Sequence, residues 1–178
     1  ISLFFITSTS AFSQAVWDGD AGDNLWSTPA NWVGDVLPTP ADDVFIEERN
    51  TIILDVSDSI GSLHLRPDDD NGVSFRFRLA GTNTLYVADS VVLTDRNRDG
   101  ARLYLEVQDN ATLEVGGHLH MNKTTSTTGF VNNRMLINTM NNGSISIAGN
   151  LSGAFSMGRG NGSAYGLQLD DNSAIECS

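Results

Sequence analysis

Asn83-Thr84-Leu85-Tyr86-Val87 returns three times along the chain in altered form: Ala111-Thr112-Leu113-Glu114-Val115, Gly143-Ser144-Ile145-Ser146-Ile147 and Ser173-Ala174-Ile175-Glu176-Cys177. With Leu85, Leu113, Ile145 and Ile175 as anchors, the spacings are 28, 32 and 30 residues. Ten positions before the anchors stand Phe75, Leu103, Met135 and Tyr165; eight before stand Phe77, Leu105, Ile137 and Leu167. Two after stand Val87, Val115, Ile147 and Cys177; six after stand Val91, Leu119 and Leu151. Every one of these positions is apolar or aromatic in a chain whose apolar content is 40%. A shared register explains that better than chance does.

Each unit therefore holds three short segments with period-two alternation, the pattern of half-buried strands. Polar residues separate them. Three before the anchors stand Thr82, Asn110, Asn142 and Asn172, and four after stand Asp89, Gly117 and Gly149. Asn and Gly at a recurring corner suit left-handed backbone. From ten before the anchor to eight after, each unit spans 18 residues, and the steps to the next unit are 10, 14 and 12. Length variation confined to one corner is how solenoids take insertions. Helical periodicity is absent, and neither a sandwich nor a propeller blade has this period. The expected fold is all-β: a parallel, right-handed, three-sided β-helix with like positions about 4.8 Å apart between coils. An earlier coil shows at Leu63 and Leu65, with less regular strands around Ile52 and Leu54. The sequence stops at Ser178, inside a coil by this register, and we expect further coils.

Working outward, residues 1–15 read as the remains of a signal peptide. An apolar run, Leu3-Phe4-Phe5-Ile6, leads to Ala11-Phe12-Ser13-Gln14-Ala15, with cleavage expected after Ser13 or Ala15. A buried N-terminal strand is the alternative. Residues 16–50 form a cap segment and 51–178 the coils. All three tryptophans lie in the cap: Trp17-Asp18-Gly19, Trp26 and Asn31-Trp32-Val33-Gly34, followed by Pro38, Pro40 and Asp42-Asp43-Val44-Phe45-Ile46. An open solenoid end exposes apolar rungs and unpaired strand edges, which bulky aromatics can cover. A solvent-facing aromatic platform for a sugar is the sharper alternative for the same tryptophans.

Net charge is -12, with one lysine, Lys123, and scattered arginines. No basic stripe exists, which argues against a nucleic-acid partner. No segment is long and apolar enough to span a bilayer. The single cysteine, Cys177, rules out a disulfide framework and reads as a small core residue.

The pattern W-D-G…W…N-W…P…D-D-V-F-I followed by β-helix coils, over residues 16–178, resembles the N-terminal region of bacterial autotransporter-passenger-like and sorting-signal-bearing surface proteins. The resemblance implies a Gram-negative exported protein, extracellular or on the outer cell surface. It implies an adhesin-like stalk whose partners are a carbohydrate or a host or matrix surface. The functional alternative is the non-catalytic N-terminal part of a β-helix polysaccharide lyase or glycoside hydrolase.

Candidate chemistry concentrates at one corner. Asp95-Arg96-Asn97-Arg98-Asp99-Gly100, with Glu106 at the twelfth position, matches a calcium-loop pattern. No helices flank it, and Glu106 falls between inward Leu105 and Val107, so it points outward and cannot close the loop. The corner one coil earlier, Arg66-Pro67-Asp68-Asp69-Asp70-Asn71-Gly72, has the same length, so two acidic turns adjoin. Asp95, Asn97, Asp99, Asp69 and Asp70 are the candidate calcium ligands; the plain alternative is two solvated turns partly neutralised by Arg96 and Arg98. His118 and His120 share an outward face, where a polar surface is the expectation and metal chelation the exception. The outward positions Arg76, Arg78, Tyr104, Glu106, Asn138 and Gln168 contain no paired carboxylates, and no nucleophile motif, P-loop or Rossmann fingerprint appears.

Overall fold

Alternating apolar and polar residues form strands throughout the computed structural model, which describes residues 13–48, 50–67, 74–94, 102–122, 134–153, 164–169 and 172–178. The strands make three sheets. The first holds β3 (Thr51–Leu54), β6 (Ser74–Leu79), β9 (Arg102–Gln108), β12 (Arg134–Met140) and β15 (Ala164–Leu169). The second holds β4 (Asp58–Ile60), β7 (Thr84–Val87), β10 (Thr112–Val115), β13 (Ser144–Ile147) and β16 (Ala174–Cys177). The third holds β1 (Ser13–Val16), β2 (Asp42–Ile46), β5 (Ser62–Leu65), β8 (Val91–Thr94), β11 (Leu119–Asn122) and β14 (Leu151–Gly153). The chain visits the sheets in rotation, and each strand pairs in parallel with its counterpart one coil away. This is a three-sided β-solenoid of about four coils.

The register matches the repeat residue for residue. Leu85 pairs with Leu113, Leu113 with Ile145, and Ile145 with Ile175. In the third sheet Leu93 pairs with Met121, 28 residues on, whereas in the first sheet Arg102 pairs with Arg134, 32 on. The four extra residues therefore lie between Asn122 and Arg134, at the corner leading from the third sheet to the first. Inward side chains from all three sheets stack into one core: Phe77, Leu85, Val91, Leu105, Leu113, Leu119, Ile137 and Ile145 are all buried.

The corner between first and second sheets is held by asparagine. Asp109 and Asn110 have φ of 58° and 69°, and Asn141 and Asn142 have 51° and 63°. Asn172 has 57°, and Gly81 serves the same corner one coil earlier. Asn and Gly reach this left-handed region at little cost. Their amides also stack between coils: Asn141 Nδ2 donates to Asp109 Oδ1 at 2.9 Å, and Asn142 Nδ2 to Asn110 Oδ1 at 3.2 Å. Gly117 and Gly149 have a different reason. Their φ is ordinary, and a Cβ on either would collide with the backbone carbonyl of the coil below.

The first coil departs from the register because its corners are tighter. Ile52 pairs with Phe77, 25 residues on; Ile60 with Val87, 27 on; Leu63 with Val91, 28 on. Above it the cap closes the open end. Trp17, Trp26 and Trp32 are buried and meet edge to face, Trp17 on Trp32 at 5.1 Å and Trp26 on Trp32 at 4.7 Å. Trp26 rests on core Phe77 at 5.7 Å and donates its indole N–H to Asp58, which holds a core-facing position of β4. Backbone bonds from Trp26 N to Ile53 O and from Ile53 N to Asn24 O cover the edge of β3. Asn31 is fully buried and ties the cap loop together, accepting from Ala21 N and donating to Asp23 and Leu25 O. The cap expectation holds, and the burial of all three tryptophans corrects the alternative in which they offer a platform to sugar.

Ser13–Val16 is strand β1, paired in register with β2, and Ala15 is buried. Strand β1 thus lies mostly within the stretch read as a leader, and cleavage after Ala15 would remove most of it. At the other end, Leu167 and Leu169 are 39% and 53% exposed. Cys177 stands in register with Ile147 but is exposed, which corrects its reading as a core residue.

Candidate functional site

The candidate calcium residues Asp69, Asp70, Asp95, Asn97 and Asp99 lie outside the described residues. Their anchors are described. Leu65 pairs with Leu93 and Ser74 with Arg102, so the two acidic connections leave and enter adjacent rungs over equal lengths. Glu106 does not serve that corner. Among the described residues no group of three or more His, Cys, Asp or Glu side chains is placed to hold a metal ion.

Glu106 instead organises the outer face of the first sheet. It points outward, as the alternation requires, yet is only 2% exposed. Arg76 and Arg78, cross-strand neighbours on β6, grip it from one coil away. Arg76 Nη1 pairs with Oε1, while Arg78 donates to Oε2 through Nε at 3.0 Å and lies 2.9 Å away through Nη2. The Arg76 guanidinium also lies over the Tyr104 ring, 4.5 Å from its centroid. Both carboxylate oxygens are thus taken up by guanidiniums, and neither is left to face a substrate. Beside Glu106, Asn138 is buried with no partner for its side-chain oxygen.

On the third sheet His118 and His120 are each engaged by a residue of the next coil. His118 Nδ1 accepts from Asn150 N–H at 2.9 Å, and His120 Nδ1 lies 2.5 Å from Ser152 Oγ. The His118–His120 pair therefore reads as a polar surface. Nearer the cap, His64 stacks flat on Phe45 at 4.5 Å, and Ser62 Oγ lies 3.3 Å from its Nε2. Burial holds the His64 imidazole below its ordinary value, against an opposing pull from Asp43 and Asp89. Ser62 donates to Asp43 rather than being activated by the histidine, and no carboxylate among the described residues is hydrogen-bonded to the ring, so the described groups do not form a catalytic triad.

The second sheet carries a feature that sequence reading passed over. Its outward positions form two columns, Ser57–Thr84–Thr112–Ser144 and Ser59–Tyr86–Glu114–Ser146–Glu176. Hydroxyls and carboxylates dominate, and Tyr86 is the single ring, 42% exposed. A depression of about 380 Å³ lined by Pro40, Ser57, Ser59, Thr84 and Tyr86 lies on one side. Another of about 230 Å³ lies on the other, lined by Tyr86, Glu114, Gly116, Ser146 and Ala148. The Tyr86 hydroxyl lies beside Gly116, where a Cβ would stand 3.3 Å from it and 2.5 Å from the Ala88 carbonyl oxygen. The only sequence signal was one aromatic among serines and glutamates at that column.

Compared with known proteins, the chain matches no family description, no curated protein and no solved structure.

Proposed function

We propose that the chain is a section of an exported, surface-displayed structural rod of adhesin-like character, bearing surface contacts on its sides. The observation that carries this reading is the direction in which outward polar groups bond. Asn141 reaches Asp109, Asn142 reaches Asn110, Thr112 meets Ser144 at 3.2 Å and His120 meets Ser152. These side chains link one rung to the next, stiffening the stack instead of converging on a substrate. The acidic net charge favours solubility outside a membrane surface. The engagement of both Glu106 oxygens by Arg76 and Arg78 favours the rod over the lyase or hydrolase alternative.

Antibodies raised against residues 13–178 test the reading on cells that make the protein. Intact cells should label as strongly as permeabilised ones. Labelling that appears only after permeabilisation would overturn the surface assignment.

A further inference from the structure

We propose that Tyr86 is a stacking platform for a neutral polysaccharide lying across the strands of the second sheet. This deepens the rod reading by naming a ligand class, and rests on it only for where binding takes place. A tyrosine combines an apolar ring with a polar tip. Left 42% exposed between two depressions, the Tyr86 ring offers a flat apolar surface bordered by hydrogen-bonding groups. A pyranose has the complementary make-up, an apolar C–H face ringed by hydroxyls. Each depression is several times the volume of one water, about 30 Å³.

The partners fit on both sides. Ser59 and Thr84 supply hydroxyls on the cap side of the ring, and Glu114 and Ser146 supply a carboxylate and a hydroxyl on the other. They recur at the rung spacing of about 4.8 Å, so a chain crossing the strands meets one polar group per rung. Charge selects among glycans. The strands of the second sheet contain no lysine or arginine, and Glu114 and Glu176 both face outward. Uronic, sulfated or phosphorylated polymers would meet like charge there, while neutral ones would not. On the first sheet Tyr104 lacks this capacity, because its ring lies beneath Arg76.

The test is calorimetric titration of the purified chain with cellohexaose, chitohexaose, laminarihexaose and mannohexaose, alongside an oligogalacturonate of equal length. At least one neutral hexamer should bind, and the acidic oligomer should bind about tenfold more weakly or not at all. Tyr86→Ala should weaken binding about tenfold or more, whereas Tyr86→Phe, which keeps the ring, should stay within about threefold. Ser146→Arg fills one depression from an exposed position and should weaken binding with an unchanged melting temperature. The proposal fails if none of the four neutral hexamers binds, if Tyr86→Ala binds as tightly as the parent, or if the acidic oligomer binds equally well. A Tyr86-dependent dimer without glycan binding would likewise overturn it, in favour of a second copy as the occupant. Cell labelling tests location and titration tests the ligand, so either reading can fail without the other.

Discussion

Tyr104 and Tyr86 lie on neighbouring faces of one solenoid, both at outward positions, and their surroundings are opposite. Tyr104 on the first sheet is 7% exposed beneath Arg76, beside the Arg76–Glu106–Arg78 cluster; Tyr86 on the second is 42% exposed, with small hydroxylated neighbours. The backbone geometry of the two sheets is the same, so the difference comes from the rungs on either side. Long charged side chains close one face, and Ser, Thr and Gly leave the other open. On a solenoid, surface chemistry is thus written across coils, one residue per rung, more than along the chain.

Substitutions that strip the first face should have the largest effect. Arg76→Ala together with Arg78→Ala removes both charge partners of Glu106 and the side chains that cover it, and should cost about 3 kcal/mol in urea unfolding. Glu106→Gln should cost less, about 2 kcal/mol, because both guanidiniums are about a third exposed and can turn to water. Tyr104→Ala removes a nearly buried ring and its cation contact, and should cost about 2 kcal/mol. Tyr86→Ala should stay within about 0.5 kcal/mol. Equal losses for the two tyrosines would erase the contrast between closed and open faces.

The third sheet offers the smallest test, through pH. His64 has its folded-state value lowered, chiefly by burial, so the unfolded chain binds its proton more readily. Stability should be intact above the ordinary value of 6.5 and decline as pH falls below it towards the lowered folded value. In His64→Gln, denaturant midpoints at pH 7.5 and 5.5 should lie closer together than in the parent.

Much of this was legible because it repeats. The anchors Leu85, Leu113, Ile145 and Ile175 fixed coil length, strand count and the corner of variable length, and the structure reproduces each pairing. The first coil was harder to read. Its corners are shortened, and polar Asp58 holds a core-facing position because it receives the Trp26 indole N–H. The extension of the third sheet by β1 and β2 was legible only in part: a buried N-terminal strand stood as the alternative to a leader, but a 25-residue cap loop separates the strands that pair. Alternation placed Glu106 outward, but not under cover, because the covering arginines come from the coil before. Tyr86 escaped notice for a related reason: openness is a property of absent neighbours, and Gly116 lies thirty residues on. The acidic corner, the site the sequence favoured, lies outside the described residues.

The tryptophan plug has a consequence for how the solenoid comes apart. Coils of a solenoid hold mainly to their nearest neighbours, so unfolding starts where a rung has a partner on one side only. Trp17, Trp26 and Trp32 supply the first coil with a partner on its cap side, Trp26 resting on Phe77 and Trp32 on Trp26. Amide exchange in β3 should therefore be as slow as in β6, the strand it stacks on, and Trp26→Ala should quicken it in β3 first. The three indoles thus set the order in which the coils let go.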